Sequence, residues 1–121
     1  MAIAMYSLVA LDCPDPPALA VFYQRIVGGR VTQQNTTGDW VRLRMDRGAD
    51  IAFQRVADYQ SPDWPDGSAQ QAHLDFDVED LDDGESAVLA VGARKADTQP
   101  MPDEWRVFLD PVGHPFCLVK V

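Results

Sequence analysis

The sequence is short of several things, and each shortage narrows the reading. It has two cysteines, Cys13 and Cys117, in 121 residues. Free thiols are expected from so few, not a disulfide scaffold. Long apolar runs are missing. The uncharged stretch from Met1 to Leu11 stops at Asp12, short of the ~20 residues a membrane span needs. A basic start and a cleavage signal of the secretory kind are also missing, so a cytoplasmic location is expected. Basic residues are scarce, 10 against 19 acids, for a net charge of -9. Such a field repels phosphate backbones and anionic lipid, so neither nucleic acid nor a membrane surface is an expected partner. Glutamate occurs only at positions 79, 85 and 104. No phosphate-cradling glycine loop, Gly-x-Ser-x-Gly elbow or Cys-x-x-Cys pair occurs. The acidic run Glu79-Asp80-Asp82-Asp83-Glu85 lacks the spacing of an EF-hand loop. It reads as capping and solubility at a helix start.

What remains is an ordinary globular composition, with 46% hydrophobic and 24% charged residues. The length suits one domain. Tyr6 to Asp12 reads as a strand. Asp15 is placed to cap a helix, with Pro16 in its first turn. From Ala18 to Val27, Leu19, Phe22, Tyr23 and Ile26 share one helical face, and Gly28-Gly29 ends the helix. Arg30 to Gln34, Trp40 to Met45 and Ile51 to Val56 read as strands joined by turn-rich segments. Asp58 to Ala69, with Pro62, Pro65 and Gly67, reads as a linker. Gln71 to Val78 then alternates strictly, with His73, Asp75 and Asp77 on one side. A helix from Asp80 to Val91 follows, then a short strand near Arg94 and strands at Trp105 to Leu109 and Pro115 to Val121.

The order β-α-β-β-β therefore occurs twice. At a shift of 65 residues, Trp40 falls on Trp105, Gly48 on Gly113, Ile51 on Phe116, Phe53 on Leu118 and Asp15 on Asp80. The helix ends need a one-residue gap, with Val27-Gly28 on Val91-Gly92. Matching turns along a long ungapped stretch point to duplication. Module one is 1–57, the linker 58–69 and module two 70–121. The expected fold is α+β, two βαβββ modules forming a curved mixed sheet around a cavity. Such concave places suit small-molecule sites.

Three segments carry a family resemblance: Leu11-Asp12-Cys13-Pro14-Asp15 before a helix with Phe22-Tyr23, Ala72-His73-Leu74-Asp75-Phe76-Asp77-Val78, and Phe108-Leu109-Asp110-Pro111-Val112-Gly113-His114-Pro115-Phe116. In their order and spacing the chain resembles the vicinal oxygen chelate superfamily. That group includes glyoxalase I, extradiol dioxygenases, fosfomycin-resistance proteins and bleomycin-binding proteins, and the likeness is strongest to its small glyoxalase-like branch. The resemblance implies a homodimer. It also implies metal ligands on the first and last strands of each module, usually His, His or Gln, and Glu. Carried over by the shift, those positions are Leu8, Ala52, His73 and Cys117.

Leu8 and Ala52 have no donor atom, so half of that ligand set is missing. A divalent metal would have to use a rearranged set, with candidates His73, Asp75, Cys117 and Gln54; otherwise no cofactor is implied. His73 is the catalytic candidate, as ligand, acid or base, or hydrogen-bond donor; the alternative is a cavity histidine satisfied by a neighbour. Cys117 reads chiefly as packing. Gln54 either orients a carbonyl in the cavity or faces water. Trp64, with Tyr59, sits in the linker and reads as a lid over the cavity or a staple to the core. Trp40 and Trp105 read as packing, and His114 as a solvated turn residue. Arg42 and Arg44 share a strand face, solvated or bound to an anion. Leu8, Ala52, Gln54, Tyr59, Trp64 and Cys117 are thus the expected ligand-binding residues. The expected function is binding of a small organic molecule at a degenerate metal site. The alternative is a metal-dependent or acid–base lyase, isomerase or dioxygenase acting on a small oxygenated metabolite.

Overall fold

Aspartate and proline start the first helix. In the computed structural model, which describes residue 2 and residues 5–33, 35–67 and 72–121, the Asp15 carboxylate accepts a hydrogen bond from the Ala18 N–H at 3.3 Å. Pro16 and Pro17 fill the first helical positions, where a missing N–H costs nothing. The helix, α1, is Pro16–Val27. Gly28 and Gly29 follow at φ 76° and 84°. A side chain at Gly29 would run into the Arg44 carbonyl, so close backbone approach as well as φ requires glycine there.

The first unit, residues 1–59, wraps α1 with four strands: β1 (Leu8–Cys13), β2 (Arg30–Gln33), β3 (Trp40–Arg44) and β4 (Asp50–Arg55). Their order is β1-β4-β3-β2, with β1 parallel to β4 and the other pairs antiparallel. One face packs on α1. Tyr23 stacks on Phe53 at 5.6 Å and meets Phe22 edge-on at 5.0 Å. Such pairs add about 0.5–1.5 kcal/mol beyond the area they bury.

The second unit, residues 60–121, repeats this plan. Its elements are β5 (Leu74–Val78), α2 (Leu81–Ala90), β6 (Arg94–Lys95), β7 (Trp105–Leu109) and β8 (Pro115–Lys120). The order is β5-β8-β7-β6, with β5 parallel to β8. Asp80 caps α2 through the Asp83 N–H at 2.9 Å. Asp82 and Glu85 hold Arg106, and Glu85 holds Lys95 at 2.7 Å. The acidic run is thus a cap joined to ion pairs. Phe108 stacks on Phe116 at 5.7 Å, and Phe76 leans on Phe116 from the other side at 5.8 Å. The fold is α+β, two βαβββ modules, each with its own four-stranded mixed sheet.

The registers carry the duplication. Val9 pairs with Ile51, and Leu74 with Phe116; both partners move by the same 65 positions. Trp40–Gln54 and Trp105–Val119 obey the same shift. Arg30–Arg44 becomes Arg94–Leu109. There the two partners differ by one in their shift: β2 keeps the offset that the helix ends show, and the 65-residue shift returns between β2 and β3.

The elements begin and end within a few residues of expectation. β1 starts at Leu8 and runs through Cys13, because Cys13 still pairs with Arg55. Val91 caps α2 and is not its last turn. β6 is only two residues long, because the Gln99 side chain does the next strand's work. Its amide donates to the Ala96 and Val107 carbonyls at 2.9 and 2.8 Å and accepts from the Val107 N–H at 2.9 Å. The strand ends expected at Gln34 and Gln71, and the linker end at Ala69, lie outside the described residues. Among the described residues, no helix is long and apolar enough to cross a membrane.

Different carboxylates pin the final turn of each unit. Asp50 accepts from the Met45 N–H at 2.8 Å and pairs with Arg42 at 2.6 Å. Asp110, buried, accepts from the Val112 and His114 N–H groups at 2.9 Å and contacts His114 Nδ1 at 2.6 Å. His114 is therefore largely enclosed and not solvated as expected. The Met45 bond, followed by the Arg42 guanidinium, holds the Asp50 carboxyl below its ordinary value of 3.8. A lowered native pKa gives stability that is present above the unfolded value and lost as pH falls through the native one. Asp50→Asn should lower Tm at pH 7. That deficit should shrink below pH 3.8 and close once Asp50 is protonated, as read by circular dichroism melts across pH.

Candidate functional site

The strand alternation that sends Phe53 toward α1 sends its neighbours to the opposite face. On the first sheet that open face holds Leu8, Ala52 and Gln54. Leu8 is half-buried, Ala52 is buried, and Gln54 is exposed opposite Trp40 and Asp12 in register. Arg42, directly across from Ala52, turns its guanidinium to Asp50, with Nε at 2.7 Å. Arg42 is thus tied up in a largely buried ion pair, while Arg44 stays exposed. Sequence reading had offered Arg42 only water or an anionic ligand. The missed signal was a carboxylate, Asp50, just past the turn from Arg42's strand. Tyr59 stands beyond the end of β4. It lines a cleft of about 600 Å³ with Pro14, Asp39, Arg55, Val56, Ala57 and Asp58.

On the second sheet, Gly84 of α2 lies against Leu118 and Val78, which marks the helix-facing side. Asp75 and Cys117 therefore share the open side, as direct partners across the parallel β5–β8 pair. His73 stands one residue before β5 and two before Asp75. Its Nε2 lies 3.2 Å from the Asp75 carboxylate, and its side chain is 44% exposed. His73, Asp75 and Cys117 each offer a donor atom, and those atoms all lie within 4.8 Å of one another. So the structure brings together three residues that the sequence could only nominate one by one.

Cys117 is the buried member. Ala96 and Val107 complete a small apolar cluster with it, and Trp64, Trp105 and Val119 pack against that cluster. Trp64 thus staples the linker to the open face of the second sheet. It also forms one wall of a cleft of about 510 Å³ with Arg94, Lys95, Thr98 and Leu109. Burial in this apolar setting pushes the Cys117 thiol up to about 11; the Asp75 charge and a hydrogen bond to Asp75 add to the effect. A thiol so held is a proton donor to carboxylate and a poor nucleophile.

The four-position cage that the resemblance implies does not fit this chain. Leu8 and Ala52 offer no donor, and the Arg42–Asp50 pair occupies the face around Ala52. Of the four candidate donors, His73, Asp75 and Cys117 are gathered on the second sheet, while Gln54 stands on the first.

A chemical consequence can be checked in chelator-treated protein carrying Cys13→Ser. A thiol shifted from 9.0 to about 11 has roughly 100-fold less thiolate at pH 8. Iodoacetamide should label folded Cys117 slower than the unfolded chain by at least about that factor, as followed by mass spectrometry.

Comparisons with known proteins agree with this architecture. The sequence profile of the glyoxalase-like domain matches residues 8–119. No curated protein matches. Among solved structures, the chain is similar to a glyoxalase/bleomycin resistance protein/dioxygenase family enzyme from Burkholderia phytofirmans. The identity is 23% and the TM-score 0.70, over 98% of this chain and 99% of that one. It is also similar to a glyoxalase-related enzyme from Fulvimarina pelagi, at 17% identity and TM-score 0.68 over 98% and 89% of the two chains. TioX from Micromonospora sp. ML1 follows at 19% identity and TM-score 0.62, over 97% and 98%. Identities this low speak for the fold alone. The profile match runs from the first residue of β1 to within β8, and by it the chain belongs to the glyoxalase-like domain family.

Proposed function

We propose that the chain binds a small organic molecule on the open face of its second sheet, with His73 and Asp75 as polar anchors. The observation that carries this reading is their convergence beside an apolar wall. Binding sites typically combine such a wall with a few well-placed polar groups. Here the wall is Trp64, Trp105, Val107 and Val119. The polar part is the His73–Asp75 pair at 3.2 Å. Imidazole beside carboxylate can donate to or accept from a ligand hydroxyl or carbonyl. An imidazole held by a carboxylate is also an arrangement used in acid–base chemistry, so an acid–base reaction on an oxygenated ligand is the second reading the pair supports. Cys117 belongs to the wall in this reading and not to the polar anchors, because burial pushes its thiol up to about 11. The family name of one fold relative joins glyoxalase, bleomycin resistance protein and dioxygenase, consistent with a fold that hosts many functions.

A panel of phenolic and carbonyl-bearing small aromatics, screened by thermal shift on chelator-treated protein, tests the proposal. At least one should raise Tm in a dose-dependent way. His73→Ala should weaken that compound about tenfold, the loss of one good polar contact (~1.4 kcal/mol). Trp64→Ala should weaken it further, with the tryptophan fluorescence response reduced. Compounds that stabilise wild type and both variants equally would place the site elsewhere.

A further inference from the structure

We propose that the second module by itself holds a zinc-class divalent cation through His73, Asp75 and Cys117, with no ligand from the first sheet. This deepens the preceding reading, since it concerns the same face, but it does not need an organic ligand to be true.

Geometry comes first. Zinc sits roughly 2.0–2.3 Å from nitrogen, oxygen and sulfur donors, which places tetrahedral ligands roughly 3.3–3.8 Å apart. The three donor atoms already lie within 4.8 Å of one another without an ion. The backbone under the site is also fixed. Asp75 and Cys117 are direct register partners on adjacent strands, and His73 is two residues from Asp75 on the same chain segment. A site supported on paired strands is held more tightly than one built on loops.

Donor chemistry decides the ion. Magnesium and calcium take all-oxygen sets. Imidazole with thiolate favours zinc and its softer neighbours. Three protein donors leave a fourth position open, the arrangement of reactive rather than structural zinc. The surroundings add to this. Ala96, Val107, Trp64 and Trp105 crowd the sulfur side and keep water from it, which strengthens the attraction between cation and thiolate. His73 and Asp75 stay partly exposed and leave a way in.

The competing description is a closed chain of hydrogen bonds, thiol to carboxylate to imidazole, with no affinity for metal. Cobalt(II) separates the two, because thiolate coordination gives a charge-transfer band in the near ultraviolet that nitrogen and oxygen ligands do not. The full chain is prepared without an affinity tag, stripped with chelator and titrated with cobalt alone. The expected result is that band, saturating at one equivalent and abolished by zinc. Cys117→Ser should remove it while the far-ultraviolet spectrum stays native. Asp75→Asn and His73→Ala should keep the thiol but weaken cobalt binding at least tenfold. Cys13→Ser and Leu8→Ala should leave the titration within twofold of wild type. No band at millimolar cobalt, a band that survives Cys117→Ser, or one that disappears with Cys13→Ser overturns the inference. The ligand screen above uses metal-free protein, so failure here leaves that result standing, and the reverse holds equally.

Discussion

Each half of this protein depends on one parallel strand pair. The first strand of a module lies beside its last, and a parallel pair cannot be closed by a tight turn. A helix and two further strands must therefore fit between them in sequence. That constraint sets the order β1-β4-β3-β2 and its copy β5-β8-β7-β6. It also creates the candidate site. Asp75 and Cys117 are far apart along the chain, yet the parallel register makes them neighbours on the open face. His73 joins them because it shares the Asp75 segment.

The two halves keep one backbone plan and fill it differently. Both pair their strands in the same register, and both put aromatic rings under their helix. On the open faces they part. The first sheet carries Leu8 and Ala52 and closes its polar needs internally through Arg42 and Asp50. The second carries an imidazole, a carboxylate and a thiol whose needs are only partly met by one another. A buried ion pair that is already satisfied has little left to offer a ligand. A partly exposed histidine and aspartate beside tryptophan have more. The polar side chains of the open faces therefore differ between the modules, while the scaffold has stayed symmetric, because strand registers are defended by every apolar residue on the helix side.

Much of the scaffold was legible in the residues. Asp15, Pro16 and Gly28 announce α1 through capping and φ preferences that act within a few residues. Leu74, Phe76 and Val78 alternate with His73, Asp75 and Asp77, so the two faces of β5 were fixed in advance. The one-residue gap in the repeat reappears in the Arg94–Leu109 register. Other features could not be read. The extent of β6 depends on Gln99, whose amide bonds the β7 main chain at Val107 in place of a further strand residue. Trp64 settles on the Ala96–Val107–Cys117 cluster, and nothing in its Pro-rich segment names that target. His114 looked like a surface turn residue until the buried Asp110 took its Nδ1.

The sequence alone determined what is local or periodic: the helix caps, the strand faces, the duplication, and the loss of donors at Leu8 and Ala52. These follow from short-range sterics and from side-chain alternation, which need no knowledge of distant contacts. Tertiary structure alone decided which polar groups meet. Whether Arg42 faces water or Asp50, and whether Cys117 packs inertly or donates its proton to Asp75, depends on strand register and on distances of a few ångströms. Electrostatics and hydrogen bonding vary steeply over that range, and sequence spacing does not resolve it.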